Sequence, residues 1–99
     1  MNSSKRKGIR FEHDIVALVK SYGIEAQRAF SSDGRTVGWE AGTDLKFAGF
    51  CAQAKRRKDL PEYLSMEGEV NLVVIREDRG RPLALIDLEH LLRILSDRL

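Results

Sequence analysis

The sequence predicts an α/β fold in which a central mixed β-sheet is flanked by helices. Three observations support this prediction: amphipathic segments at both ends of the chain, strand-like segments between residues 24 and 54, and two apolar runs at 72–75 and 83–86. The chain has 99 residues, which is enough for one domain but leaves no room for a second independent core. We therefore expect a single domain over residues 1–99, with residues 1–5 flexible.

The composition is typical of a globular protein, with 42% hydrophobic and 32% charged residues. No apolar run approaches the roughly 20 residues that cross a bilayer, and the first residues lack the apolar segment of a secretory signal. The single cysteine, Cys51, has no partner for an internal disulfide, which agrees with a reducing compartment. We expect a cytoplasmic protein without a membrane partner.

The first predicted elements are a helix, a strand and a loop. Apolar residues recur at spacings of three and four between Arg6 and Tyr22, which predicts a helix, and Gly23 follows where helices commonly end. Residues 24–30 then read as the first strand. The glycine-rich segment 31–42 is typical of a loop.

The second half of the chain predicts a short helix, two strands and a final helix. Residues 60–66 are expected to form the short helix. The LVVI run at 72–75 is typical of a strand that is buried on both faces, and residues 83–86 form the next strand. Asp87 is placed to cap the final helix, which carries one apolar stripe. The stripe consists of Leu88, Leu91, Leu92, Leu95 and Leu99.

Polar residues of a catalytic type lie on a predicted hairpin. If residues 48–49 form a two-residue turn, Asp44 faces Gln53 across the strand pair. Side chains alternate along a strand, so Asp44, Gln53 and Lys55 then share the face opposite the apolar one. A three-residue turn would instead place Ala54 opposite Asp44. The apolar pairs are expected to be Phe47 with Phe50 and Leu45 with Ala52.

These residue types are suited to metal-dependent phosphodiester hydrolysis. Asp44 and Gln53 would offer oxygens to a hard cation such as Mg²⁺, since opposed Cβ atoms lie about 5 Å apart. Lys55 would stabilise charge on an attacked phosphate or hold the attacking water. Glu12, on the first helix, offers a second carboxylate. The ordinary interpretations are a cross-strand ion pair for Lys55, worth under about 1 kcal/mol, and a solvated helix flank for Glu12.

The formal net charge is only +2, but the basic residues are clustered. Residues 5–10 contain four cations and no acid, and residues 55–58 are all basic. A segregated basic surface favours a polyanionic partner, and the alternative is a solvated tail with an ordinary charged loop. The candidates for phosphate contact are Lys5, Arg6, Lys7, Arg10, Arg56, Arg57 and Lys58.

The order of these residues resembles the PD-(D/E)XK nucleases. An RKG lead-in at 6–8 precedes a helical glutamate, then Asp44, then Gln53-Ala-Lys55. In particular, the chain resembles archaeal-type Holliday-junction resolvases and small phage or prophage endonucleases. The resemblance implies a restriction-endonuclease-like fold with an α-β-β-β-α-β core, and Mg²⁺- or Mn²⁺-dependent cleavage of DNA by a homodimer. It implies that Asp44, Gln53 and Glu12 bind metal and that Lys55 is the catalytic lysine.

Two positions depart from the pattern of this family. Thr43 stands where proline is common, and Gln53 stands where glutamate is usual. The neutral amide removes one negative charge, so metal binding should weaken unless Glu12, Glu40 or a substrate phosphate compensates. The resemblance also implies DNA contacts in the loop after the first strand. The candidates there are Ser31, Ser32 and Arg35.

Three hypotheses about function remain open. The leading one is a structure-selective DNA endonuclease that acts on branched or four-way-junction DNA, where a two-fold dimer could address two strands. The second is a nuclease-like fold that binds nucleic acid without cutting it, with Gln53 marking lost catalysis. The third is a protein-interaction module that uses the final helix, in which Ile94 lies outside the apolar stripe.

Overall fold

The computed structural model describes residues 3–29 and 42–98. The described residues form a small mixed α/β protein, which confirms the predicted class in its coarse form. They divide into an N-terminal unit, Met1–Arg56, and a C-terminal unit, Arg57–Leu99. The elements are α1 (Ser3–Ser21), β1 (Ala26–Arg28), β2 (Leu45–Phe47), β3 (Phe50–Ala52), a 3₁₀ turn (Glu62–Leu64), β4 (Leu72–Ile75), β5 (Leu83–Ile86) and α2 (Leu88–Ser96).

Several predictions fall on residues that lie outside this description. The predicted loop at 31–42 is described only at its last residue, Gly42. At Lys5 the description covers the helix backbone alone. The predicted contacts that lie outside the described residues are Ser31, Ser32 and Arg35, together with the compensating Glu40.

The N-terminal unit packs α1 against the first two strands of a three-stranded antiparallel sheet. The helix begins three residues before the predicted start and ends at Ser21, and Gly23 follows with a φ of 77°. That left-handed conformation, with the Gly23 N–H donating to the Lys20 carbonyl at 2.9 Å, closes the helix as predicted. The buried apolar side chains of this unit are Val19, Ile24, Ala29, Leu45 and Phe47.

The predicted hairpin register is confirmed for the apolar pairs. Leu45 pairs with Ala52 and Phe47 with Phe50. The turn residues Ala48 and Gly49 both have positive φ, at 50° and 83°. Two positive φ values are the signature of the two-residue turn that matches the natural twist of paired strands. The loop length on which the site hypothesis depends is therefore the predicted one.

The predicted central mixed sheet is wrong for the described residues. Strands β1, β2 and β3 form one antiparallel sheet, while β4 pairs with β5 in a second antiparallel sheet. The helix predicted at 60–66 is also wrong, since only the turn Glu62–Leu64 forms. No side chain caps that turn, and Ser65 already has an extended backbone with φ −72° and ψ 146°. Two parallel strands are usually joined by a crossover helix, and the segment before β4 forms only a short turn. Strand β4 pairs instead with β5, the next strand along the chain.

The C-terminal unit is more exposed than its apolar sequence suggests. The LVVI run does form β4, but the prediction that both its faces are buried is wrong, because Val74 is 65% exposed. This two-stranded sheet leaves much of one face uncovered. The end of the unit agrees with the sequence: the Asp87 carboxylate accepts a hydrogen bond from the His90 N–H at 3.1 Å and caps α2. Within the described ranges, no helix has the length and apolar character that a bilayer crossing requires.

Candidate functional site

Two buried carboxylates from different elements meet in the N-terminal unit. Glu12 lies on α1 and is 4% exposed, and Asp44, immediately before β2, is 6% exposed. Burial and the neighbouring charge of Asp44 raise the pKa of Glu12 above its ordinary value, against the opposing effects of Arg28 and His13. The two carboxylates are therefore electrostatic neighbours. The sequence analysis had selected both of them.

Asp44 is held by the backbone on both sides. Its N–H donates to the Ala52 carbonyl at 2.9 Å, and its Oδ2 accepts a hydrogen bond from the Ala54 N–H at 2.8 Å. On the other side, the Ala29 N–H donates to the Asp44 carbonyl at 3.0 Å. Regular pairing of β2 with β3 ends at Leu45 and Ala52. Asp44 is therefore hydrogen-bonded to the two neighbours of Gln53, and it does not pair with Gln53 itself. This anchoring fixes the carboxylate at the start of β2.

Gln53 lies beyond the end of β3 and packs over a glycine. The prediction that Gln53 and Lys55 lie within the paired strands is wrong. The strand ends at Ala52, so both residues follow the hairpin. A Cβ atom added to Gly42 would lie 2.9 Å from Gln53 Nε2, and Gly42 has a φ of 85°. Glycine at this position thus permits both the backbone conformation and the close approach of the amide. The amide lies beside a residue that is two positions before Asp44 in the chain.

Arg28 is the member of this cluster that the sequence analysis missed. Its Nε lies 3.0 Å from Glu12 Oε1, and its Nη1 donates to the Ala29 carbonyl at 2.9 Å. Arg28 pairs with Leu45 in the sheet, and paired residues share a face, so the arginine lies on the buried face. The alternation of side chains along β1 could have identified Arg28, because it predicts that this residue faces inward. An inward-facing arginine needs an acidic partner.

The contact between Glu12 and Arg28 is an ion pair without an aligned hydrogen bond. Glu12 Oε1 and Arg28 Nε are both buried, and neither has a hydrogen-bond partner despite their separation of 3.0 Å. When both carboxylates are ionised, Glu12, Asp44 and Arg28 together carry one more negative than positive charge. The excess of negative charge among these three described side chains suits a further cation.

The donor set would be small. In the described part of the chain, no three His, Cys, Asp or Glu side chains come together as a metal-binding group. Glu12 and Asp44 supply two carboxylates, and the amide of Gln53 is the remaining predicted ligand. One or two carboxylates, completed by water and a substrate phosphate, are the usual protein ligands of Mg²⁺. The residues present therefore fit a hard divalent ion.

Lys55 and the other predicted basic contacts whose side chains are described are exposed. The Lys55 side chain is exposed and makes no hydrogen bond or ion pair to any described residue. Its catalytic position stays a prediction. The other predicted contacts whose side chains are described are also exposed: Arg6, Lys7, Arg10, Arg56, Arg57 and Lys58.

An open groove of about 630 Å³ lies at the other end of the hairpin. Its lining includes Gln27, Lys46 and Cys51, which are aligned in neighbouring strands on the face opposite Leu45. None of the predicted catalytic residues lines it.

Comparison of the chain with protein-family models, with curated proteins and with solved structures finds no match. The residues described above are therefore the basis on which a function can be assigned.

Proposed function

We propose that this chain is a metal-dependent DNA endonuclease that hydrolyses phosphodiester bonds, with selectivity for branched DNA such as four-way junctions. The observation that carries the proposal is the buried pair of Glu12 and Asp44, in which Glu12 forms an ion pair with Arg28. One carboxylate lies on α1 and the other immediately before β2, and the resemblance to the nucleases implies a metal-binding role for both. The order α1-β1-β2-β3 agrees with the first part of the proposed restriction-endonuclease-like core.

The burial of two carboxylates side by side needs a physical reason. Both side chains are buried, and burial together with the charge of Asp44 disfavours the ionised form of Glu12. A network that served only packing would be more stable with balanced charge or with apolar side chains of similar size. The retained negative charge is explained if the site binds a divalent cation during function. Mg²⁺ or Mn²⁺ are the ions that fit oxygen ligands of this kind.

Each residue then has a defined part. Glu12 and Asp44 would hold the ion, and Gln53 would add a neutral oxygen. When bound, the ion polarises the phosphate and lowers the pKa of a water that attacks it. Lys55 would donate to the phosphate oxygen on which charge develops.

The exposed basic residues would bind the DNA backbone. Contacts of Lys and Arg with phosphates release condensed counterions, so binding should weaken steeply as salt increases. We extend the proposal to a cytoplasmic homodimer, because a two-fold pair of sites suits the symmetry of a four-way junction. Mutations of Arg56 or Lys58 should weaken binding to all DNA structures by similar factors.

A second candidate function is binding of nucleic acid without cleavage. The observation that favours it is Gln53, whose neutral amide leaves the site with one carboxylate fewer than the family pattern. Weaker metal binding would then leave a DNA-binding module with the same fold. The two candidates differ in one measurable property, which is the cutting of a phosphodiester bond.

The test is cleavage of branched, linear and single-stranded DNA by the purified chain with Mg²⁺ or Mn²⁺. We expect wild type to cut branched DNA, and Asp44→Asn to lower the rate by roughly 100-fold or more, as loss of a charge-stabilising group does. Lys55→Ala should lower the rate by a similar factor, while Lys20→Ala, an exposed lysine in the same unit, serves as the charge-matched control. Salt-sensitive binding without cutting of any substrate would support the second candidate and contradict the first.

A further inference from the structure

We propose that Arg28 is the resident counter-cation of the candidate metal centre and that it competes with the divalent ion for Glu12. This inference rests on the proposed metal site and adds a residue that regulates its occupancy. The nuclease-like sequence pattern described above does not include Arg28. Its role follows from its contacts, its burial and the charges that surround it.

Among the described residues, the Arg28 guanidinium contacts a backbone carbonyl and the Glu12 carboxylate. Nη1 donates to the Ala29 carbonyl at 2.9 Å, which fixes one edge of the guanidinium to the backbone. Nε lies 3.0 Å from Glu12 Oε1, where the two side chains form an ion pair. The attraction to Glu12 is therefore one of charge, which a second cation can replace. A side chain with a well-aligned two-bond contact would be much harder to displace.

The charges explain why such a residue is present. Without a metal ion and without Arg28, Glu12 and Asp44 would be two uncompensated negative charges in a site from which water is largely excluded. Arg28, whose side chain is only 17% exposed, supplies the missing positive charge and stabilises the unoccupied fold. A divalent ion at Glu12 would then meet a positive charge at contact distance, and the repulsion lowers its affinity. Glu12 would thus be neutralised by Arg28 in the absence of metal and by the divalent ion when metal is bound.

The first experiment measures metal affinity without DNA. Calorimetric titration with Mg²⁺ and with Mn²⁺ compares wild type, Arg28→Met and Arg28→Lys. Methionine keeps much of the apolar stem and removes the charge. We expect Arg28→Met to bind metal at least tenfold more tightly than wild type, because a charge at contact distance has been removed. Arg28→Lys should stay within about threefold of wild type, since it keeps the charge.

Arg76→Met is the matched control. Arg76 is exposed and belongs to the C-terminal unit, so its loss changes the net charge of the chain equally. Its metal affinity should stay within about twofold of wild type, since salt screens the charge of an exposed side chain. Equal or weaker binding by Arg28→Met would overturn the inference. Equal tightening by Arg76→Met would overturn it too, because the effect would then be one of net charge.

A second measurement uses wild type alone and does not depend on whether a variant folds. The Nε–Hε resonance of Arg28 is followed by NMR during a Mg²⁺ titration. It should shift with the same midpoint as the heat of binding, while the corresponding resonance of Arg76 stays in place. An Arg28 resonance that does not move up to saturation would overturn the inference and leave the metal site intact. If wild type and Arg28→Met both fail to bind metal, this inference and the proposed metal centre are overturned together.

Discussion

The two units of the chain use burial in opposite ways. In the N-terminal unit, three polar side chains, Glu12, Thr43 and Asp44, are buried beside an apolar core. In the C-terminal unit, the described residues bury Leu92 completely and leave large apolar side chains such as Val74 exposed. Charge burial is costly and persists where it serves a function, which locates the proposed chemistry in the N-terminal unit. In the C-terminal unit, stability should depend on very few residues.

The largest expected effect on stability concerns Leu92. Its side chain is fully buried on α2, so Leu92→Ala should lower the free energy of unfolding by about 2–5 kcal/mol. Val74→Ala removes an apolar side chain that is mostly exposed and should cost less than about 1 kcal/mol. Urea unfolding of both variants measures the difference. Similar losses of unfolding free energy in the two variants would contradict the view that the buried apolar contacts of this unit are concentrated at α2.

The next effect concerns the charge of the candidate site. Gln53→Glu adds a carboxylate at the predicted third ligand and should raise metal affinity by roughly tenfold, because hard cations bind more tightly as the ligand charge increases. The matched control is Gln27→Glu, which adds the same charge to the same sheet but on the groove-lining face. Calorimetry measures both affinities. An equal increase in the two variants would show that Gln53 is not a ligand.

The pH dependence of stability should report the burial of Glu12. In the folded chain Glu12 keeps its proton to a higher pH than its ordinary value of 4.5, because burial and Asp44 raise its pKa. The folded state therefore binds more protons in this range, and the free energy of unfolding falls as the pH rises from 4.5 through the raised pKa.

Glu12→Gln imitates the protonated side chain and should remove this fall. The variant should be more stable than wild type at pH 7 and nearly equal to it at pH 4, as measured by urea unfolding across the range. Glu25→Gln, which removes an exposed carboxylate from the same unit, is the control. A Glu12→Gln variant that is less stable than wild type at pH 7 would mean that the Arg28 contact outweighs the cost of burial.

The smallest expected effect concerns the hairpin turn. Ala48 has a φ of 50°, a left-handed conformation that disfavours a residue with a Cβ atom. Ala48→Gly should therefore stabilise the chain by about 0.5–1 kcal/mol, as glycine replaces a strained residue. Gly49→Ala, where φ is 83°, should destabilise it. Thermal unfolding of the two variants gives the signs, and a loss of stability in Ala48→Gly would contradict the turn geometry.

The sequence predicts those parts of the fold that depend on near neighbours. The end of α1 at Gly23, the two-residue turn after Phe47 and the Asp87 cap each involve a few adjacent residues, and all three are present. The predicted register also places Asp44 beside residues 52–54, to which its N–H and carboxylate are hydrogen-bonded.

The parts that the sequence analysis missed depend on distant contacts. The predictions of a mixed sheet and of a buried LVVI strand were wrong. An apolar run predicts a strand, but it does not predict which strand pairs with it or which residues cover it. Arg28 was missed for a similar reason. Its partner, Glu12, is remote in the chain and becomes a neighbour only when α1 packs on the sheet.

The central claim is that Glu12 and Asp44 bind a divalent cation, and binding of Mn²⁺ followed by electron paramagnetic resonance tests it most directly. Wild type should bind one ion per chain at this site. Asp44→Asn should weaken that binding by at least tenfold, because it removes a charged ligand. Asp59→Asn, the loss of an exposed carboxylate in the C-terminal unit, should leave it unchanged. Equal affinity in wild type and Asp44→Asn would contradict the account.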